Sequence, residues 1–314
     1  MAISFISLTK RYRDLTAVDD LSVDVRPRRI TAFLGPNGSG KTTSMRALLG
    51  LTVPTAGTAT IDGRRYRDVP HPMRVVGAVL DQGLHPNRTA RRHLRILALQ
   101  AGAPPGRVEE MLDLVGLTAA ADRRVGGFSL GMRQRLALGG ALIGDPAALV
   151  LDEPFNGLDP DGIWMMRAFL RTFADSGGTV FLSSHLLAEV ANTADDAVII
   201  NKGRLVRAGT VRELVRPGGV AVTTRDASAL TAALAEAGVT VERTGPDGLL
   251  VHGTDGATIA AAAARAGALV TGRQEQSADL ETVFQALVHD SALPPPETPM
   301  VRQAGTTNPQ EVPS

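Results

Sequence analysis

The chain of 314 residues contains no cysteine. That excludes disulfides, thiolate metal sites and cysteine nucleophiles. Lysine is almost missing too: Lys10, Lys41 and Lys202 are the whole set, and arginine carries the remaining basic charge. Neither sign of charge is in excess. The balance of 33 Lys+Arg against 32 Asp+Glu leaves a net +1, which provides no global field for nucleic acid, so no nucleic-acid partner is expected. No apolar run reaches the roughly 18 residues of a membrane-spanning helix. Even the alanine-rich run from Ala260 to Val270 is short and carries Arg265. Met1 to Lys10 passes directly into charged residues, without the pattern of a signal peptide. The expectation is a chain that does not itself span the membrane but can dock on something that does, with the length for two domains and a sizeable core.

What is present centres on Gly35-Pro36-Asn37-Gly38-Ser39-Gly40-Lys41-Thr42. The apolar run Ile30, Ala32, Phe33, Leu34 precedes it, and Met45, Leu48 and Leu49 follow at helical spacing. Strand, glycine loop and helix in that order can wrap a triphosphate. Glycine lets main-chain amides approach anionic oxygens, and a helix N-terminus adds positive dipole character. Lys41 would reach the β- and γ-phosphates, Thr42 would ligate Mg²⁺, and Thr43 completes the loop's binding set. The bland alternative is a glycine-rich turn with an incidental lysine. The motif names a nucleotide without naming a task.

Along the chain, Leu21, Val23 and Val25 alternate as in a half-buried strand, and Thr58 to Ile61 reads as a strand entering a turn at Asp62-Gly63. Residues 86–127 are mostly helical in pattern, interrupted by Pro104-Pro105-Gly106. Ser129 is placed to cap a helix running through Leu142. Strands at Ala147–Leu151, Thr179–Leu182 and Ala197–Ile200 then alternate with helices at Gly162–Ala174 and from Leu186, which implies a mostly parallel sheet. Pro217-Gly218-Gly219 marks a boundary. Beyond it, residues 219–289 read as a small α/β unit with strands at Val220–Thr223, Val239–Glu242 and Leu249–Val251, and helices at Ala227–Ala237, Ala257–Ala266 and Leu280–Leu287. Residues 291–314 hold too little apolar content to offset ordering and are expected to be disordered.

Ala148 to Leu151 is an apolar strand that ends in Asp152-Glu153-Pro154. In a parallel sheet, strand C-termini line the ligand crevice. Asp152 could hold Mg²⁺ through its hydration shell and Glu153 could polarise a water. Taken alone, a strand with a solvated acidic end explains these residues equally well.

The run Phe128-Ser129-Leu130-Gly131-Met132-Arg133-Gln134-Arg135-Leu136, just upstream, resembles the signature of ABC-type ATPases. Asn156-Gly157-Leu158-Asp159 is similar to that family's D-loop, and Phe181-Leu182-Ser183-Ser184-His185 to its switch-histidine strand. Tyr12, after Lys10-Arg11, fits the aromatic that stacks on adenine. Within the family, the signature, the run from Pro154 to Pro160 and the ending Asp279-Leu280-Glu281-Thr282-Val283-Phe284 resemble the ATPase subunits of bacterial ABC-2 exporters of the bacitracin and drug-resistance branch. Three positions depart from the pattern. Leu130 stands where Gly is usual and Met132 where Gln is usual, while Asp81 occupies the Q-loop place of Gln and Gln82 comes one residue later.

The resemblance implies a P-loop NTPase in residues 1–216: a RecA-like parallel sheet core, an antiparallel β subdomain and a helical subdomain at about 86–146, followed by the small C-terminal α/β domain. It implies ATP and Mg²⁺, with Thr42, Asp152 and Gln82 (or Asp81) around the metal. Glu153 becomes the general base. His185 contacts the γ-phosphate and keeps Glu153 and the water in line, the alternative being a partly buried structural histidine. Ser129 and Gly131 would bind the γ-phosphate held by a second subunit, with Asp159 at the same junction, in a head-to-tail homodimer. The partner would be an integral membrane permease, placing the chain at the cytoplasmic face of the membrane, and its coupling helix would enter a groove around residues 82–95. A solvated helix face is the plain reading of the arginines there. Two rival functions stand beside export: a soluble ABC ATPase acting on nucleic acid or ribosomes, and an ATP-gated dimerisation module that hardly hydrolyses.

Overall fold

The structure is a computed structural model that describes residues 1–80, 83–215, 217–277 and 280–290. The Q-loop candidates Asp81 and Gln82, and the tail 291–314, lie outside the described residues.

The chain opens with an antiparallel hairpin of β1 (Ile3–Tyr12) and β2 (Leu15–Val25), then β3 (Ile30–Leu34) and α1 (Lys41–Leu48). β4 (Ala56–Ile61), α2 (Pro72–Val75) and β5 (Val76–Val79) follow. The helical portion comprises α3 (Ala90–Ala101), α4 (Arg107–Leu114) and α5 (Leu130–Leu142). The chain returns to the sheet through β6 (Ala148–Leu151), α6 (Pro160–Asp175), β7 (Thr179–Ser184), α7 (Leu187–Thr193), β8 (Asp196–Asn201), β9 (Arg204–Thr210) and α8 (Val211–Leu214).

The central sheet has the order β5-β6-β7-β3-β8-β9, parallel except for β9. All five residues of β3 are buried. A strand covered on both faces carries an unbroken apolar run rather than alternation. Its side chains divide between two cores. Ile30, Ala32 and Leu34 join Leu149, Leu151, Val180 and Leu182 on the face covered by helices. Phe33, Val150 and Phe181 face the antiparallel sheet β2-β1-β4 and α1. Phe181 sits between Phe33 and Phe5, with ring centroids 5.1 and 5.8 Å away, tying the two sheets together. The consequence for function lies at the strand ends. β6, β7 and β3 are neighbours, so their C-termini deliver residues 152–153, 184–185 and 35–41 side by side.

Ser129 caps α5 as its sequence position predicts: its Oγ accepts from the Met132 amide at 3.2 Å. Of the arginines on α3, Arg91 is engaged within the chain, by Glu109 and Asp122, and these carboxylates raise its pKa.

The C-terminal unit runs β10 (Pro217–Thr224), α9 (Ala227–Glu236), β11 (Thr240–Arg243), β12 (Gly248–His252), α10 (Gly256–Ala266) and β13 (Val270–Ser277). Its antiparallel sheet has the order β11-β12-β10-β13. Val220, Val222, Leu249 and Val251 point inward against Leu230, Leu234 and Ile259. The last helix, α11 (Leu280–Asp290), does not complete this unit as its place in the sequence suggests. It packs on α7, α8 and β9, and buried Leu280 joins the large core of the first domain. Leu280, Phe284 and Leu287 form one apolar stripe, and the stripe binds the first domain.

Candidate active site

Gly35 to Gly40 turns tightly, with the Ser39 amide donating to the Pro36 carbonyl at 3.1 Å. Gly40 takes φ +105°, and a Cβ there would run into the Ala17 carbonyl of β2. A Cβ on Gly35 would come 2.5 Å from the Ile200 carbonyl. Both glycines are therefore demanded by space, and Gly40 by conformation as well.

Lys41 opens α1 and is 7% exposed. Its Nζ donates to the Gly35 carbonyl at 2.6 Å and the Pro36 carbonyl at 3.1 Å. Burial lowers the Lys41 pKa, and the nearby Glu153 and Asp152 carboxylates act against that. The Ser39 hydroxyl is buried with no hydrogen-bond partner. A buried ammonium resting on two neutral carbonyls, beside an unpaired hydroxyl, is a donor set that fits an anion.

The next three motifs form one continuous hydrogen-bonded chain. Thr42 Oγ1 donates to Asp152 Oδ2 at 2.6 Å. Ser183 Oγ donates to Asp152 Oδ1 and accepts from the Glu153 amide, the latter at 2.9 Å. Glu153 takes φ +52°, the left-handed region, which turns its carboxylate off the line of β6. Its Oε2 accepts from the His185 amide at 3.2 Å and lies 2.8 Å from His185 Nδ1. With its proton on Nδ1, the ring donates to the carboxylate. Thr42 and Asp152 bring hard oxygen donors together, the chemistry that suits Mg²⁺.

A cleft of about 330 Å³ opens in front of these groups, lined by Gly35 to Asn37, Glu153, His185 and Phe284 among others. Ser183 is quoted in the switch-strand motif, but its sequence does not announce that it joins Asp152 to Glu153. The available signal is a hydroxyl next to the end of a fully buried strand. Phe284 closes the Asp279–Phe284 run of the sequence, but nothing in that run places it at the cleft. Asn156, another lining residue, comes from the D-loop run. Ser183→Ala removes two hydrogen bonds that involve or support carboxylates, so it lowers the unfolding free energy by about 1.5–3 kcal/mol in a urea titration. An unaltered midpoint would contradict this linking role.

The other expected residues lie elsewhere. Thr43 is half-buried in the first turn of α1. Tyr12, near the tip of the β1–β2 hairpin, is 46% exposed. Its hydroxyl is 3.2 Å from Thr52 Oγ1, and Lys10 Nζ lies 4.7 Å from the ring centroid. Ser129 and Gly131 at the start of α5 are not among the cleft's lining. Leu130 lies directly over Gly157, and Gly131 faces Leu158, so the departure at position 130 is an apolar contact between signature and D-loop. Asp159 caps α6, its Oδ1 accepting from the Gly162 amide at 3.0 Å.

The chain is similar to known proteins over most of its first domain. The family model described as ABC transporter matches residues 18–156, and a domain of unknown function (DUF8746) matches residues 218–281. The chain is 39% identical over 212 residues to the bacitracin transport ATP-binding protein BcrA of Enterococcus faecalis, covering 66% of this chain and 69% of that protein. It is 37% identical over 219 residues to the Nod factor export ATP-binding protein I of Ralstonia nicotianae, covering 68% of each. A solved structure of an ATP-binding subunit of an ABC transporter superposes with TM-score 0.63 at 27% identity, over 68% of this chain and 92% of that one.

Proposed function

This chain belongs to the family of ABC transporter ATP-binding proteins, and from that membership we propose that it is the ATP-hydrolysing subunit of a bacterial export complex whose cargo is a drug, antibiotic or lipid-like compound. The observation that carries this reading is the unbroken chain Thr42–Asp152–Ser183–Glu153–His185 beside the phosphate loop.

The task of such a site is to place a water in line with the γ-phosphate and to neutralise the charge of transfer. The amides of residues 38–42 and the Lys41 ammonium would take the terminal phosphates, Lys41 exchanging its two carbonyl partners for anionic oxygens. Thr42 and Asp152 would hold Mg²⁺, which would supply further charge neutralisation during transfer. Glu153 would take the proton as the water oxygen bonds to phosphorus and the bridging oxygen leaves with ADP. Oε2 of Glu153 is engaged by His185, so Oε1 is the oxygen turned to water. His185 would steady that carboxylate and touch the γ-phosphate. Tyr12 would stack on adenine.

The cleft is built from the phosphate loop and the ends of β6 and β7, without the signature residues. Ser129 and Gly131 would therefore act on the ATP of a second copy arranged head to tail. ATP would close the pair and loss of the γ-phosphate would reopen it. This closure does work only if a membrane permease binds the open and closed pairs with different affinity. Among the described residues no helix is long and apolar enough to cross a membrane, so the path for cargo would belong to that partner and this subunit would sit at the cytoplasmic face of the membrane. Co-expression with a permease encoded beside its gene is expected to carry the chain into the membrane fraction. Retention in the soluble fraction, with permease present, would contradict the export assignment and favour a soluble ABC ATPase.

A further inference from the structure

Among the described residues that line the catalytic cleft, Phe284 alone comes from beyond residue 215. It stands on α11, the helix that leaves the C-terminal unit and packs on α7, α8 and β9. α7 starts at Leu187, two residues after His185, and Leu187 lines the same cleft. Seven residues are too few for a helix to hold itself in water, and no side chain caps the start of α7. Packing therefore sets where α7 sits. On one side Arg167 of α6 pairs with Glu189 at 3.4 Å. On the other side lies α11, anchored by buried Leu280 and by the Asn201 side-chain amide donating to the Val288 carbonyl at 3.4 Å.

We propose that Phe284 is a positioning residue for ATP hydrolysis: its ring backs the His185–Leu187 segment and holds His185 in register with Glu153, so that α11, the helix that follows the C-terminal unit, contributes a wall to the active site. This rests on the ATPase reading above. Beside Leu187, the cleft presents a polar loop and the hydrogen-bonded Glu153–His185 pair. A half-buried phenyl ring there supplies no proton and no charge; it supplies volume. Reacting groups need near-contact alignment, and a shift of about 1 Å in a positioned group can cost on the order of 100-fold in rate. Deleting the ring leaves a void beside a short, uncapped helix that has room to shift into it.

The test uses the purified full-length chain, with Phe284→Ala, Phe284→Met and Phe284→Leu, assayed for steady-state phosphate release and for binding of a fluorescent ATP analogue. Phe284→Ala is expected to lower kcat about 10-fold or more, with KM for ATP and analogue affinity within about twofold of the parent. Phe284→Leu and Phe284→Met, which refill most of the volume, are expected to restore kcat to within about threefold. Should the alanine variant fail to fold, the leucine and methionine variants still decide the matter, because they must turn over more slowly than the parent at unchanged KM. Parental kcat in every variant, a faster kcat, or a loss confined to KM would overturn the proposal. Absence of phosphate release from the parent chain would instead overturn the ATPase reading on which it stands.

Discussion

Lys41→Ala should raise the Kd for ATP by roughly 100-fold, about 2.7 kcal/mol, with little change in folding stability. The asymmetry follows from what the ammonium does in each state. Without an anion, Lys41 is buried and its Nζ is bonded to two neutral carbonyls, and burial lowers its pKa. Holding a cation there is costly, so its removal sacrifices little in the free protein. With nucleotide present, the same group would make charge-assisted bonds to the terminal phosphates, each worth more than a neutral hydrogen bond. Titration with a fluorescent ATP analogue, paired with a urea unfolding curve, separates the two effects. Unchanged affinity would contradict the phosphate cradle. A large stability loss with unchanged affinity would make Lys41 a structural lysine.

Glu153→Gln should remove the base while preserving the shape of the site. The amide keeps an oxygen that can accept from the His185 amide but cannot take a proton from water. General-base assistance is typically worth ~10²–10⁴ in rate, so steady-state phosphate release should fall by about that factor. ATP binding should be spared, because the cradle at residues 35–42 is separate from the base. With binding intact and cleavage blocked, the variant should accumulate as an ATP-bound pair of chains, measurable by sedimentation in Mg²⁺ and ATP. A variant that stays monomeric under those conditions would count against head-to-tail closure. One that still releases phosphate at the parental rate would remove Glu153 from the base role.

Those two residues were legible in the sequence for a shared reason. The phosphate loop must be contiguous, because successive main-chain amides do the binding, so its glycines and lysine fall in one short run. The carboxylates at residues 152 and 153 end a fully apolar strand, and such an end is where a parallel sheet opens its crevice. The central strands were readable for the same reason: β6, β7 and β8 are covered on both faces and carry near-continuous apolar runs. Among the strands the sequence did not announce, β9 and β13 are both sheet edges. Arg204–Thr210 lies mostly in contact with solvent, and Val270–Ser277 is identified by its pairing with β10 rather than by alternation.

The contacts that Ser183 and Phe284 make were not legible, for a different reason. Their importance comes from juxtaposition. Ser183 meets Asp152 because β6 and β7 are neighbours in register, and no local pattern encodes that neighbour. α11 has a clear apolar stripe, yet a stripe does not specify which core it will join. Its sequence position favoured the small unit, whereas the surface of α7 and β9 received it.

The central claim is that Glu153 readies water against a phosphate held at residue 41. A single-turnover experiment tests it most directly. Radiolabelled ATP is loaded on the parent chain and on Glu153→Gln, Mg²⁺ is added, and cleavage of the bound nucleotide is followed by rapid quench. The parent should convert its bound ATP to ADP and phosphate while the variant retains ATP intact, slowed by about 10²-fold or more. Equal cleavage rates in the two proteins would contradict the account.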